Sequence, residues 1–128
     1  MSEVRMRGDR RKILIVEDET LLALSLSLSL QEEGHIITGC VTSGEKALAM
    51  IEKDRPDIVL IDIKLDGGMD GIETSWRIRR EHALPIVFMT GNTDHGTLQL
   101  ANELDPVGIL RKPINDHEVL SVIRKAFA

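Results

Sequence analysis

The stretch LSLSLSL, residues 24–30, alternates leucine with serine at a period of two, which is typical of a strand buried on one face. Its surroundings in the chain argue for a helix instead. The apolar run ILIVE (13–17) precedes it and a weaker run, HIITGC (35–40), follows it, with 17 residues between the two runs. Gly34, a helix stop signal, stands directly before the second run. We therefore predict that LSLSLSL belongs to a crossover helix between two strands.

Three more apolar runs rich in β-branched residues follow: IVLID (58–62), PIVFMT (85–90) and VGIL (107–110). The runs are continuous, as expected of strands covered on both faces. Three of the segments beside these runs begin with a capping residue and have an acid three positions later: Thr42 with Glu45, Asp70 with Glu73, and Asn115 with Glu118. Five repeats of strand then helix predict an α/β fold of the doubly wound (βα)5 kind, a parallel sheet with helices on both faces.

The composition indicates one globular domain. The chain has 128 residues, of which 42% are hydrophobic, and a formal net charge of −5. The excess of acid and the scarcity of aromatic residues argue against direct binding of nucleic acid. We expect residues 1–11 to be a flexible basic leader and residues 12–128 to form the domain.

The chain carries no pattern for secretion or membrane insertion. No apolar run approaches the roughly 18 residues needed to span a bilayer, and the polar, basic start has no signal-peptide core. We therefore expect a cytoplasmic protein that makes no membrane contact. The single cysteine, Cys40, has an apolar setting and is expected to pack in the core.

Functional side chains follow the ends of the predicted strands. Glu17 and Asp18 follow the first strand, and Asp62 ends the third. Thr90 ends the fourth strand, and Lys112 comes two residues after the fifth. In a doubly wound sheet the carboxyl ends of the strands meet at one crevice. Clustered carboxylates favour a hard divalent cation such as Mg²⁺, and a carboxylate beside Lys and Thr donors is suited to accept a phosphoryl group.

Five blocks of the sequence resemble the signature of the response-regulator receiver domain, the CheY-like module of two-component signalling. The blocks are VEDE (16–19), LIDIKL (60–65), MDGIE (69–73), FMTG (88–91) and RKP (111–113). The resemblance covers residues 12–127 and implies a flavodoxin-like fold with strand order 2-1-3-4-5. It also implies a phosphoprotein that controls a partner or output domain. Such a module is a kinase substrate with weak Mg²⁺-dependent self-dephosphorylation, not an enzyme.

The resemblance assigns a role to each acid at the strand ends. Asp62 would take a phosphoryl group from a sensor histidine kinase or a histidine phosphotransfer protein. Asp18, Asp62 and the backbone carbonyl of Lys64 would hold Mg²⁺, for which Mn²⁺ can substitute. Glu17 stands where the family more often has a second Asp and would act on the ion directly or through water.

The same resemblance implies a conformational switch. Lys112 would pair with a phosphoryl oxygen, while Thr90, with Gly91 beside it, would move to meet another. The Lys112–Pro113 peptide bond is expected to be cis, as in the family. Ile109 stands where the family commonly has Tyr or Phe, so we expect switching to proceed through Thr90 and backbone shifts without a moving aromatic ring.

As a helix, LSLSLSL and the residues before it carry two leucine stripes. One stripe can face the core: Leu22, Leu26 and Leu30. The other, with Ser25 beside it, lies on a different face: Leu21, Leu24 and Leu28. In receiver domains the exposed face of the first helix docks on the kinase, so the second stripe and Ser25 are candidates for that contact. The alternative is that some of these leucines pack on the last helix. A homodimer through the fourth helix, fifth strand and fifth helix is a further expectation.

Three other functions share parts of this pattern. A haloacid-dehalogenase-type phosphatase needs an acid two residues after the nucleophile, where this chain has Lys64. A flavodoxin-like redox carrier needs a phosphate-binding loop of Ser, Thr and Gly after the first strand, where this chain has EDET (17–20). A receiver-like protein-binding module that works without phosphorylation is disfavoured by the presence of Asp62, Thr90 and Lys112. Both a stand-alone receiver and one domain of a longer protein are compatible with the sequence.

Overall fold

The computed structural model describes residues 10–91 and 94–128, so nearly all of the predicted basic leader, residues 1–11, lies outside the described residues. Strands and helices alternate along the chain. The strands are β1 Lys12–Val16, β2 Ile36–Val41, β3 Ile58–Asp62, β4 Ile86–Thr90 and β5 Gly108–Arg111. The helices are α1 Thr20–Glu32, α2 Gly44–Lys53, α3 Gly71–His82, α4 His95–Glu103 and α5 Asp116–Ala126.

The strands form one parallel sheet in the order β2-β1-β3-β4-β5. The fold prediction and the strand order implied by the resemblance are therefore confirmed. The register brings the last residues of neighbouring strands side by side. Asp62 at the end of β3 pairs with Met89 in β4, and Thr90 at the end of β4 pairs with Arg111 in β5.

Two hydrophobic layers enclose the sheet because successive strand residues point to opposite faces. Leu14 and Val16 of β1 face the layer that contains buried residues of α2, α3 and α4. Ile13 and Ile15 face the layer that contains buried residues of α1 and α5. The helices therefore lie on both faces of the sheet, as predicted. Within the described residues, no helix combines the length and apolar character needed to cross a membrane.

The stretch LSLSLSL lies inside α1, so the prediction of a helix is confirmed. Leu26 and Leu30 are buried, at 3% and 1% exposure, and face the core. The helix is followed by Gly34, whose φ of 96° is accessible to glycine without strain and whose N–H donates to the carbonyl of Gln31. Crossover geometry and burial, not the alternation of leucine and serine, decided the structure of this segment.

The second leucine stripe lies in solvent. Leu21 is 81% exposed, Leu24 52% and Leu28 54%. The alternative in which these leucines pack on the last helix is therefore wrong: the contact of α1 with the α5 side of the core is made by the other stripe. These three leucines therefore form an exposed apolar row on one face of α1.

Two local predictions need correction. The N-cap of α2 is Ser43, whose hydroxyl accepts from the N–H of Lys46, and not Thr42. Cys40 is exposed rather than in the core, because β2 is an edge strand of the sheet.

The other two predicted caps are confirmed. The Asp70 carboxylate accepts from the N–H of Glu73, and the Asn115 side chain accepts from the N–H groups of His117 and Glu118. These caps satisfy backbone donors at the first turns of α3 and α5, which the helices themselves leave unpaired.

Candidate functional site

The acids predicted at the strand ends lie together at the carboxyl edge of the sheet. Glu17 and Asp18 follow β1, and Asp62 is the last residue of β3. One carboxylate oxygen from each of these three residues lies within 4.8 Å of the others. β1 and β3 are direct neighbours in the sheet, which is why residues 44 positions apart in sequence meet here.

The carboxylate of Asp62 is held on both oxygens. Oδ1 accepts from the backbone N–H of Lys64 at 2.9 Å, and Oδ2 accepts from Lys112 Nζ at 2.7 Å. The side chain is buried, with the residue only 5% exposed. A charge-assisted hydrogen bond on one oxygen and a backbone donor on the other fix the orientation of this carboxylate.

Lys112 connects three carboxylates. Its Nζ lies 2.7 Å from Asp62, 3.1 Å from Glu17 and 3.2 Å from Glu19. Burial by itself lowers the pKa of this lysine, but the bonds to Asp62 and Glu17 outweigh burial, and the net effect raises the pKa above its ordinary value. The ammonium therefore stays protonated at physiological pH and supplies a positive charge inside an acidic cleft.

Glu17 is the most buried acid of the cluster, at 1% exposure. Burial raises its pKa to about 7, against the lowering effects of the Glu19 N–H and Lys112. Oε2 accepts from the N–H of Glu19 at 2.9 Å, whereas Oε1 receives no well-aligned hydrogen bond from the described residues. Oε1 does form an ion pair with Lys112 Nζ at 3.1 Å, and a buried carboxylate oxygen of this kind next to two further carboxylates fits a hard divalent cation.

The predicted switch residues also lie near this acidic cleft. Thr90 is buried, and its carbonyl accepts from the N–H of Lys112 at 2.8 Å. Gly91 lies beside the Lys112 side chain, and the Lys112–Pro113 peptide bond is cis. Ile109 is half-buried and packs on the core layer that contains α4. The main chain thus links the ends of β4 and β5 at the site.

Comparison with known proteins identifies the family. The family model of the response regulator receiver domain matches residues 13–124. The chain belongs to this family. Receiver domains are generally not enzymes, they bind Mg²⁺ in an acidic pocket, and histidine kinases phosphorylate them. This receiver domain has an acidic cluster of Glu17, Asp18 and Asp62 at the carboxyl edge of its sheet.

Two curated relatives are named transcriptional regulatory proteins. The transcriptional regulatory protein PdtaR of Mycobacterium tuberculosis is 31% identical over 116 residues, which are 91% of this chain and 56% of the relative. The transcriptional regulatory protein AfsQ1 of Streptomyces coelicolor is 32% identical over 117 residues, or 88% of this chain and 51% of the relative. The chain spans about half the length of these curated relatives.

Solved structures give the same fold. The signal receiver domain of a modulated diguanylate cyclase from Desulfovibrio desulfuricans is 38% identical, with a TM-score of 0.87 over 91% of this chain and 93% of that chain. The response regulator PhyR from Brucella abortus is 30% identical, with a TM-score of 0.80 over 94% of this chain and 50% of that chain. The named relatives differ in output, so the family does not specify what this receiver domain controls.

The sequence predicted no role for two residues at this site, Glu19 and Gly71. Glu19 lies within the block VEDE, and its contact with Lys112 depends on a tertiary approach across 93 residues. Gly71 lies within the block MDGIE, and its N–H donates to the carbonyl of Ile63 at 2.7 Å. A Cβ at Gly71 would lie 2.0 Å from the carbonyl oxygen of Asp62, so α3 can begin this close to the site only with glycine. The glycine after the capping Asp70 was the available signal.

Proposed function

We propose that this receiver domain accepts a phosphoryl group on Asp62 from the phosphohistidine of a sensor histidine kinase or a histidine phosphotransfer protein. The observation that carries the proposal is the Asp62 carboxylate bonded to Lys112 at 2.7 Å beside the acidic cluster. The arrangement combines a nucleophile, a fixed positive charge and oxygen ligands for a cation in one cleft.

The transfer is a displacement at phosphorus. A carboxylate oxygen of Asp62 attacks, the phosphorus–nitrogen bond to the donor histidine breaks, and an oxygen–phosphorus bond forms. The donor imidazole leaves with the electron pair of the broken bond and returns to its neutral form by taking up a proton. Lys112 stabilises the negative charge on the phosphoryl oxygens. Weak self-dephosphorylation reverses the adduct: water attacks phosphorus, and the products are inorganic phosphate and the free Asp62 carboxylate.

Glu17, Asp18, Asp62 and the backbone carbonyl of Lys64 would hold Mg²⁺, with Mn²⁺ as a substitute. When bound, the ion neutralises charge among the acids and on the incoming phosphoryl group. The buried Glu17 Oε1, which lacks a well-aligned hydrogen bond from the described residues, supports this assignment. The Lys64 N–H is already directed at Asp62, which keeps the loop after β3 close to the site.

We propose that switching proceeds through Thr90 and Gly91 and the backbone between β4 and β5. The bond from the Lys112 N–H to the Thr90 carbonyl supports coupling of the two strand ends. Ile109 has no ring that could turn inward. A structure with a phosphoryl mimic in which neither Thr90 nor residues 94–110 move relative to the free protein would contradict this mechanism.

The exposed leucine stripe on α1 is the proposed docking surface for the kinase or phosphotransfer protein. Leu21, Leu24, Ser25 and Leu28 are all exposed on a helix that begins two residues after Asp18. Leu28→Glu is expected to slow transfer from the cognate donor and to leave phosphorylation by acetyl phosphate unchanged. An equal loss with both donors would contradict docking. We also propose a cytoplasmic location and a homodimer through α4, β5 and α5. Leu100 of α4, which is 54% exposed, is available for this dimer contact.

The decisive experiment uses Mg²⁺ and acetyl phosphate, with intact mass as the measurement. Wild type is expected to gain one phosphoryl adduct and Asp62→Asn none. The matched control is Asp66→Asn, because Asp66 is an exposed acid of the same loop and should keep the adduct. Omission of Mg²⁺ should abolish the adduct. Absence of an adduct in wild type with acetyl phosphate and with candidate kinases would favour the phosphorylation-independent binding module.

A further inference from the structure

Glu19 is the acid at the site that the proposed function does not use. Its carboxylate lies 3.2 Å from Lys112 Nζ although the side chain is 67% exposed. Glu19 also occupies the N-cap position of α1, where its side chain makes no capping hydrogen bond. The side chain is therefore directed towards Lys112 and away from the unpaired N–H groups of its own helix.

Lys112 donates hydrogen bonds to Asp62 and Glu19 and forms an ion pair with Glu17 in this state. An ammonium group has three N–H donors, and three carboxylates lie within 3.2 Å of Nζ: Asp62, Glu17 and Glu19. A phosphoryl oxygen on Asp62 that approaches the ammonium therefore competes with these carboxylates for it. The contact of Lys112 in the unphosphorylated domain is thus in competition with the contact that phosphorylation requires.

Glu19 is the carboxylate that withdraws most readily. Asp62 and Glu17 are buried, and a hydrogen bond from a backbone N–H holds each carboxylate in place. Glu19 is exposed, and water can replace its bond to Lys112. Pairs of this exposed kind are weak, so the competition is modest and reversible.

We propose that Glu19 is a positioning residue that holds Lys112 in the unphosphorylated receiver domain and competes with the phosphoryl group for it. The inference rests on the proposed function. Removal of the Glu19 contact frees one donor of Lys112 before transfer and therefore speeds adduct formation. Decay is affected less, because Glu19 has already left Lys112 in the phosphorylated domain.

The test measures adduct formation and decay separately by intact mass, with acetyl phosphate and Mg²⁺. Glu19→Gln is expected to raise the formation rate constant about two- to fivefold, the range expected for loss of one exposed ion pair. The decay rate constant should stay within about a factor of 1.5 of wild type by the same reasoning. The increase should shrink at high salt, where exposed pairs are screened.

Glu19→Asp separates the contact from the charge. It keeps the negative charge but withdraws the carboxylate by about one carbon–carbon bond, ~1.5 Å, and places a good N-cap residue at the start of α1. If the contact with Lys112 matters, this variant should be as fast as Glu19→Gln. Glu32→Gln, which removes an exposed charge from the other end of α1, is the matched control and should match wild type.

The outcomes are distinguishable. Faster formation in both Glu19 variants supports the proposal. If Glu19→Gln is faster while Glu19→Asp equals wild type, only the overall field of the charge matters and the proposal is overturned. It is also overturned if neither variant differs from wild type, or if formation and decay change by the same factor. An absent adduct in wild type would instead overturn the proposed function itself.

Discussion

Gly71→Ala should disturb the fold and the site together. The added Cβ would lie 2.0 Å from the Asp62 carbonyl oxygen, 2.7 Å from the Ile63 Cα and 2.8 Å from the Ile63 carbonyl oxygen. All three are backbone atoms, so no side-chain rotation relieves the contact. Since real Cβ contacts almost never fall below 3.0 Å, α3 or the end of β3 must move by about 1 Å.

The expected loss in unfolding free energy is about 2 kcal/mol or more. Overpacking typically costs about 1–3 kcal/mol and occasionally more, and we expect the upper end here because only backbone atoms can move. The better helix propensity of alanine offsets up to about 1 kcal/mol of that cost. For a domain of this size, about 2 kcal/mol lowers the melting temperature by roughly 8 °C. Because the displaced atoms belong to Asp62 and its neighbour, formation of the phosphoryl adduct should also fall by about tenfold or more.

Thermal melting of metal-free protein, followed by circular dichroism, measures the first effect, and intact mass after acetyl phosphate treatment measures the second. The matched control is Gly96→Ala in the first turn of α4, where the nearest atoms to a Cβ are 3.9 Å away on the Asp94 side chain. That variant should gain about 0.4–1 kcal/mol. A Gly71→Ala protein that melts at or above the wild-type temperature would refute the reasoning.

Three further predictions follow from burial and charge. In urea denaturation, Leu30→Ala in the buried stripe should lower the unfolding free energy by about 2–5 kcal/mol. Leu24→Ala in the exposed stripe should lower it by about 0.5 kcal/mol or less. Similar losses in the two variants would contradict the assignment of the two stripes. The pKa of Glu17 is raised from 4.5 to about 7 in the folded protein, so the unfolded chain loses this proton first as the pH rises. The unfolding free energy of metal-free wild type should therefore fall by on the order of 2–3 kcal/mol between pH 4.5 and 7 relative to that of Glu17→Gln. Parallel pH profiles of stability in the two proteins would disprove this. Lys112→Met should slow formation of the phosphoryl adduct about a hundredfold. The control Lys125→Met changes an exposed lysine of α5 and should leave the rate unchanged. Equal rates in the two variants would exclude the proposed role of Lys112.

Much of the fold could be predicted because the information was local. Continuous apolar runs marked the strands, and the repeated order of strand and helix implied a parallel sheet. Asp70 and Asn115 were recognised as caps from their spacing to an acid. The prediction that Thr42 caps α2 was wrong. The next residue, Ser43, is an equally good cap, and sequence alone does not choose between adjacent hydroxyl side chains.

The acids of the site and Lys112 were predictable, whereas the contact of Glu19 with Lys112 was not. Glu17, Asp18 and Asp62 each follow a strand, and a parallel sheet places such residues at one edge. The distance from Glu19 to Lys112 was not predictable, because it depends on the path of the chain between β1 and α1 and on the position of the end of β5. The exposure of Cys40 likewise depended on which strand lies at the edge of the sheet.

The sequence by itself determined the class of fold, the family and the acids that gather at the strand ends, because these depend on residue order and on the alternation of elements. Only the tertiary structure decided which leucines of LSLSLSL reach the core and which face solvent, because burial depends on where α1 packs. It also decided that Lys112 lies among three carboxylates and that Glu17 is buried enough to resist ionisation, because distance and desolvation arise only when distant segments come together.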